Sequence, residues 1–374
     1  MNNTTPKNFL PGTHPNWPPP VSTSGLLAWA RKNLFSSPLN TVLTIMSFLL
    51  LWTIIPPFFE WSVTNAIFTA DSRIQCWDQM AAPAAGACWA FIDDRLALFT
   101  YGFYPEPLRW RVNLSFVLLI FAIIPVLYEK MPGRKYGLWY SAIFPFITGW
   151  LLVGGLGLEP VDTDQFGGIL LTLILGVTGI SFSLPIGIAL ALGRQSKLPV
   201  LRIMCVLFIE FIRGVPLITL LFVASTMLAY FLPPGTNFDL LLRVLIMVTL
   251  FASAYMAEVI RGGLQAISRG QHEAGDSLGL TYWQANRLIV LPQALKISIP
   301  GIVNTFIGLY KDTTLVLIIG MMDILGLGGA SLADVKWAGL ANEIYLFVAL
   351  YFFVTCFSMS RYSLYLEKKL HTGH

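Results

Sequence analysis

Charge is what this chain of 374 residues has least of: Asp, Glu, Lys and Arg together make up 12%, against about 25% in soluble domains. Histidine is scarcer still, and all four (His14, His272, His371 and His374) fall outside the long apolar runs. There is no HExxH pair and no GxxxxGK[ST] phosphate loop, and the GxSxG spacing of Gly275, Ser277 and Gly279 falls in a polar interval that reads as a short helix and its glycine stop, not as a strand-to-helix elbow. Protease or acyl-transfer chemistry therefore lacks a centre, and the chain cannot hydrolyse ATP by itself. His371 and His374 could hold a metal only adventitiously at a frayed end, so neither a metal site nor a catalytic residue is expected. Four cysteines are too few for a disulfide scaffold or a thiolate metal site. A net charge of +4 without a basic stripe gives no nucleic-acid surface.

What the chain does have is apolar length. Hydrophobic residues make up 55% and the mean hydropathy is +0.67, which places it in a bilayer. Nothing is shaped like a cleaved signal peptide, so the first apolar span, beginning near Thr41, is expected to remain as an anchor. Residues 1–38, rich in Pro, Asn, Thr and Ser, are expected to be disordered, with an interfacial helix around Leu26 to Leu34. Spans long enough for a hydrocarbon core of about 30 Å occur at 40–59, 112–128, 138–157, 167–192, 203–231, 240–258, 288–319 and 341–360. The fifth and seventh are overlong and carry charge, and are expected to be bent or broken.

Loop charges set the orientation. Lys130, Arg134 and Lys135 lie in one loop, Arg194, Lys197 and Arg202 in another, and Arg361, Lys368 and Lys369 towards the end. Acids dominate 158–166 (Glu159, Asp162 and Asp164) and the long 60–111 loop. The positive-inside rule then gives eight spans with both termini cytoplasmic. Cys205 and Cys356 sit in apolar spans as packing residues. Cys76 and Cys88, each followed by Trp, share the 60–111 loop on the oxidising side. There they can pair, the alternative being two free thiols. The fold class expected is an all-α integral membrane protein. It comprises a lead (1–38), an accessory three-helix segment (39–166) with periplasmic loop 60–111, a five-helix core (167–366) and a tail (367–374). A cytoplasmic loop spans 259–287, and no internal repeat is apparent.

The longest polar interval of the second half is Glu273 to Pro292, EAGDSLGLTYWQANRLIVLP. Thr281 followed by Gln284 reads as a capping box, and Gly279 as the left-handed stop of a short helix over about 270–278. In that helix Ala274 and Leu278 lie four apart on one face, with Glu273, Asp276 and Ser277 elsewhere. Taken alone, it reads equally well as an amphipathic helix on a membrane surface.

Charges within or beside the spans are costly in lipid and mark candidate solute contacts. Glu210 and Arg213, three apart on a helix, could pair with each other; Gly214 and Pro216 follow and should break that helix. A broken helix at mid-membrane offers backbone groups to a solute, whereas a buried ion pair would merely hold two helices together. Lys311, Asp312, Thr313 and Thr314 follow Asn304 and Thr305 in a later helix. Each of Lys311 and Asp312 is expected to meet a partner on another element. Such a cluster suits a zwitterion, and suits structural salt bridges equally.

The spacing EAx-x3-G-x9-I-x-LP resembles the cytoplasmic "EAA" loop of permease subunits in ATP-binding-cassette importers. The residues concerned are Glu273, Ala274, Gly275, Ser277, Leu278, Gly279, Ile289, Leu291 and Pro292. That family usually has alanine where Gly275 stands, and its helix is similar to a ball seated in a socket on the ATPase. EFIRGVPLITLL, AYMAEVIRGGLQAISRGQ, VLPQAL and LYKDTTLV resemble, in order, segments of the histidine/glutamine-type permeases of polar amino-acid importers. ACWAF, Tyr104-Pro105 and Arg109-Trp110-Arg111 resemble the extended permeases of broad-range L-amino-acid importers in Gram-negative inner membranes.

The resemblance implies half of a type I importer with several partners. These are a second permease (often a paralogue), a homodimeric ATP-binding subunit, a periplasmic amino-acid-binding protein, the amino acid and membrane lipid. It implies no cofactor on this chain, ATP and Mg staying on the ATPase. Pathway residues carried over by position are Ile212, Val215, Thr219, Asn304, Asp312 and Thr313, beside Glu210, Arg213 and Lys311. The family often has threonine at the place of Val215 and glutamine at that of Thr219, so the partner permease can hold the working contacts. A self-sufficient secondary transporter is the competing reading. It would need inverted repeats and coupling carboxylates at mid-span, and would leave the patterned loop unexplained.

Overall fold

A computed structural model describes residues 25–231, 233 and 238–370. The expected disorder of residues 1–24 and the fate of His14, His371 and His374 lie outside the described residues. Among the described residues there are helices and isolated bridges but no strand. This is what a chain without water to satisfy its backbone must adopt.

The described residues divide into two compact units, those up to 67 with 80–87, and 68–79 with those from 88 onward. In the first, α1 (Gly25–Asn33) carries Arg31 and Lys32 in its last turn, where they complement the helix dipole. Helix α2 (Pro38–Phe59) starts with Ser37 capping the Asn40 N–H and proline at its first position. It is apolar all round, and none of its residues is buried against protein, as befits a helix whose solvent is lipid.

The second unit joins α3 (Arg73–Asp78), α4 (Ala90–Tyr101), α5 (Arg109–Leu127) and α6 (Arg134–Val153) to everything after residue 166. From residue 88 onward the accessory segment lies in the same compact unit as the core. The reason is packing that local sequence does not display. Tyr104 is buried, donates from its hydroxyl to the Leu152 carbonyl at 2.9 Å and sets its ring at a tilt against Phe166. Arg111, also buried, donates to the Glu159 carbonyl at 2.6 Å.

Helix α7 (Gly168–Arg194) and α11 (Leu240–Gln265) form the centre of the core. Leu170, Leu171 and Leu175 meet Val244 and Val248 near one end, and Ala191 meets Met256, Ala257 and Ile260 near the other. Between them α8 (Pro199–Gly214) stops at Val215 and Pro216, whose extended backbones turn the chain by 103° into α9 (Leu217–Phe222). The expected break is present, because Pro216 has no N–H to give. A wide turn at Val223–Met227 and α10 (Leu228–Phe231) follow. Helix α14 (Leu291–Asp312) tightens into a 3₁₀ segment at Thr313–Ile319, then comes α15 (Ile324–Ser331). Helix α16 (Ala341–Leu370) continues past residue 366, so at least 367–370 of the expected tail is helical. Among the described residues seven helices are long and apolar enough to cross a bilayer, and the bent pair α8–α9 makes eight.

Long-range bonds sort the loops of the second unit into two sets. Lys369 Nζ lies 2.5 Å from Glu129 Oε2, and that bond holds the Glu129 carboxyl below its usual range. Loop 127–134 and the end of α16 therefore share one side. The other set gathers around α4. Asp94 accepts from Trp337 Nε1 at 2.8 Å and Lys336 Nζ at 3.2 Å, Arg95 pairs with Asp334, and Glu343 accepts from the Cys88 N–H at 3.1 Å. Burial pushes Asp94 upwards, but the bonds from Trp337 and Lys336 and the charges of Lys336 and Arg95 outweigh it, so its carboxyl titrates low. Cys76 and Cys88 form a disulfide in this cluster, with Cα atoms 6.0 Å apart.

Candidate coupling and translocation sites

The polar interval folds as three short pieces. Helix α12 (Arg269–Ser277) ends in a Schellman motif. The Leu280 N–H donates to the Gly275 carbonyl at 3.1 Å and the Gly279 N–H to Asp276 at 3.0 Å, while Gly279 takes φ +67°. Space is open around Gly279, so glycine is required there by backbone conformation alone. The next helix, α13 (Tyr282–Ala285), opens with the full capping box: Gln284 N–H to Thr281 Oγ1 at 3.4 Å, and Thr281 N–H to Gln284 Oε1 at 2.9 Å. A wide turn at Asn286–Val290 then feeds α14 without interruption. Such turns sit often at functional places.

One residue of α12 faces inward. Gly275 is buried, and a Cβ there would lie 3.2 Å from Ala285 Cβ and 3.8 Å from Ile289 Cδ1. Glu273, Ala274, Ser277 and Leu278 point outward. Leu278 is 73% exposed, and Tyr282, Trp283 and Leu288 are exposed beside it. The outward face thus combines a carboxylate with four large apolar side chains, a composition suited to a protein socket. The loop is not free to drift. Gln293 on α14 donates to Gln271 on α12 at 3.0 Å, and Ser298 donates to the Val259 carbonyl on α11 at 3.3 Å. At that crossing Gly263 leaves no room for a side chain, since a Cβ would overlap Ser298 Oγ and sit 2.6 Å from the Ala294 carbonyl oxygen. Motion of α12 is thereby tied to α14, and α14 to α11. Ile289 is half-buried and links back to Gly275; Leu291 and Pro292 begin α14.

Residues 183–372 match the family model described as the inner membrane component of binding-protein-dependent transport systems. The chain is 48% identical over 363 residues to the inner membrane amino-acid ABC transporter permease protein YhdY of Escherichia coli K12, covering 96% of this chain and 97% of that one. The chain belongs to this family. It is 46% identical over 421 residues to the glutamate/glutamine/aspartate/asparagine transport system permease protein BztC of Rhodobacter capsulatus, covering 96% of each. A solved structure of an amino acid ABC transporter with histidines is similar at 30% identity and a TM-score of 0.48, covering 54% of this chain and 92% of that one.

In this transport component the charges of the spans meet differently from the expected pairing. Glu210 and Arg213 do not bond each other. Arg194 on α7 reaches Glu210 Oε1 at 3.0 Å and Glu258 Oε2 on α11 at 3.3 Å, and Arg213 reaches Glu258 Oε2 at 3.5 Å. Arg261 closes on Glu258 as well, with its Nε donating at 2.9 Å. Side chains three apart on a helix can face, but Glu258 lies nearer to Arg213 and gathers three guanidinium groups. Three helices are joined through that one carboxylate. Sequence reasoning missed Glu258; the signal available was an acid inside the apolar run of α11.

The expected pathway residues occupy mixed surroundings. Ile212 is buried with Leu220 and Ala254, and Val215 packs against that group. Thr219, Asn304 and Lys311 are exposed and Asp312 half-buried. Thr313 is buried, its hydroxyl donating to the Tyr310 carbonyl at 2.8 Å. The partners expected for Lys311 and Asp312 are not found: among the described residues neither side chain forms an ion pair. A cavity of about 550 Å³ among α5, α6, α7 and α11 is walled by residues such as Phe116, Phe144, Phe182 and Leu245. None of the pathway residues lines it, and its apolar wall does not suit a zwitterion.

Proposed function

We propose that this chain is the membrane-spanning permease subunit of an ATP-driven amino-acid importer. It forms half of the translocation pathway and receives the power stroke through α12. The observation that carries this reading is the geometry of that helix: outward Glu273, Leu278 and Trp283 on a piece fixed by a Schellman stop, a capping box and the Gln271–Gln293 bond. The names of its relatives, which are amino-acid permeases, supply the substrate class.

On this reading the partners are a second permease, a paralogue of this chain, a homodimeric ATP-binding subunit and a periplasmic amino-acid-binding protein. The chain is not itself an enzyme and binds no cofactor. ATP and magnesium stay on the ATPase, whose socket takes α12. Both termini are cytoplasmic, which puts the Cys76–Cys88 disulfide in the periplasm. Thr219, Asn304, Lys311 and Asp312 are the exposed groups that would meet solute or the second permease, with Val215 beside them. Glu210 and Arg213 shape the pathway through the Glu258 cluster rather than by direct contact.

The test is a mild-detergent pull-down with this chain as bait, followed by mass spectrometry. An ATPase captured by the native chain and lost with Glu273→Lys is expected, together with a second permease. Recovery of the chain alone, still taking up amino acid in liposomes without ATP, would overturn the reading in favour of a self-sufficient transporter.

A further inference from the structure

No coupling or pathway residue lines the cavity of about 550 Å³ among α5, α6, α7 and α11. On α6 its lining runs from Phe144 to Val153, and on α11 from Leu241 to Leu250. At about 1.5 Å per residue that is about 14 Å along each helix. The cavity therefore reaches from the helix ends at Val153 and Leu241 to the middle of α6. That depth is about one leaflet of a hydrocarbon core about 30 Å thick. Phe116 of α5 and Leu170, Ile174 and Val177 of α7 line it as well, all buried or half-buried.

Its mouth can be placed. Phe146, Gly149, Trp150 and Val153 line the cavity and are exposed, and their spacing puts them in one stripe of α6. Leu242 and Ile246, one turn apart on α11, also line it and are exposed. The opening thus faces sideways between two helices long and apolar enough to cross the bilayer, and lipid stands outside it. Size narrows the occupant. An apolar cavity of about 150 Å³ takes one benzene ring, so this one, at about 550 Å³, has room for about 20 carbon atoms, the bulk of one long acyl chain. A further helix about 10 Å across would need about 1,100 Å³ over the same length, so no helix fits. Thr148 Oγ1, buried in the wall, has no hydrogen-bond partner among the described residues. It is an unused donor that an ester-linked chain satisfies and a plain hydrocarbon does not.

We propose that this cavity holds one acyl chain of a membrane phospholipid, entering between α6 and α11. The chain supplies the contacts that a void would forfeit and wedges α5 and α6 against α7 and α11. The proposal rests on the membrane spans alone, and on neither the orientation nor the partners given above.

The test places the full chain in nanodiscs containing a phosphatidylethanolamine with a photoactivatable diazirine midway along one acyl chain. Mass spectrometry of peptides after illumination locates the label. Label on Leu170 or Ile174 is expected, inside the cavity where bulk lipid does not reach. Gly149 has open space where a Cβ would stand, so Gly149→Trp should stop the mouth and remove that label. Ile246→Trp, on the other lip, should do the same, whereas Val354→Trp, on an exposed part of α16, should leave it. No label on α7 in the native chain, its survival in either mouth variant, or its loss with Val354→Trp would overturn the proposal. So would equal labelling by a diazirine-bearing alkane, which would show a site for any apolar molecule. The readout needs neither ATPase nor solute, so its failure would leave the transport reading standing.

Discussion

Glu258 is the residue whose removal the structure makes most consequential for stability. Its carboxylate receives Arg261 and lies 3.3 Å from Arg194 and 3.5 Å from Arg213, so Glu258→Gln leaves three guanidinium groups facing only Glu210. Breaking a fully buried charge pair costs about 3–5 kcal/mol. The side chains here are 24% to 32% exposed, so solvent screening lowers the cost to about 2–3 kcal/mol. Glu210 makes the comparison: its side chain is 54% exposed with one arginine partner, and Glu210→Gln should cost under about 1 kcal/mol. At about 2–4 °C per kcal/mol for a large chain, Glu258→Gln should lower the unfolding midpoint by about 4–12 °C and Glu210→Gln by no more than about 4 °C. Thermal challenge in mild detergent, read by size-exclusion chromatography, measures both. Equal midpoints for the two variants, or a larger loss for Glu210→Gln, would refute the assignment of Glu258 as the junction.

Asp323 is fully buried at the start of α15, and burial pushes its carboxyl up to about 6 despite N–H bonds from Gly326 and Leu325. A raised carboxyl pKa contributes stability that is complete below the unfolded value near 3.8 and is lost as pH rises through about 6. Stability should therefore fall between pH 4 and pH 6.5 by about 3 kcal/mol at most, and Asp323→Asn should flatten that slope. Gly263→Leu should separate α11 from α14, costing about 1–3 kcal/mol by overpacking and reducing ATP-driven uptake measured in proteoliposomes. Gly275→Ala should keep uptake, because a Cβ 3.2 Å from Ala285 needs only a few tenths of an ångström of relief, whereas Gly275→Leu should abolish it. Cys76→Ser or Cys88→Ser should destabilise the α3–α4 region by about 3 kcal/mol, the loop-closure value for a short loop, seen as faster proteolysis there.

What could be read from the residues was local. The eight spans, the break before Pro216, the stop at Gly279 and the Thr281–Gln284 box each depend on neighbours within about one helical turn. The Glu258 junction was not legible in the same way, because its partners Arg194 and Arg213 lie far off in sequence on two other helices. The rule applied to Glu210 and Arg213 (that ionisable groups within a span have a use) would have flagged Glu258 and Arg261 too. Ending that span at residue 258 instead of Gln265 left Glu258 at its last position and Arg261 outside it. The ties of α4 to Asp334, Lys336 and Trp337 were equally invisible, as nothing near Asp94 announces a partner more than 200 residues later. Ile212 was carried over by motif position from the resemblance, and the structure shows it packed with Leu220 and Ala254.

Gly279 bears most directly on whether α12 transmits ATPase closure to the spans. A left-handed φ of +67° with open space around it means that Gly279→Asp strains the Schellman turn and adds a charge without touching the spans. The measurement is ATP hydrolysis and amino-acid uptake, side by side, in proteoliposomes holding the permease pair, the ATPase and the binding protein. Gly279→Asp should assemble in the membrane in normal amount and lose most uptake. Native-level, ATP-driven uptake by that variant would contradict the role of α12.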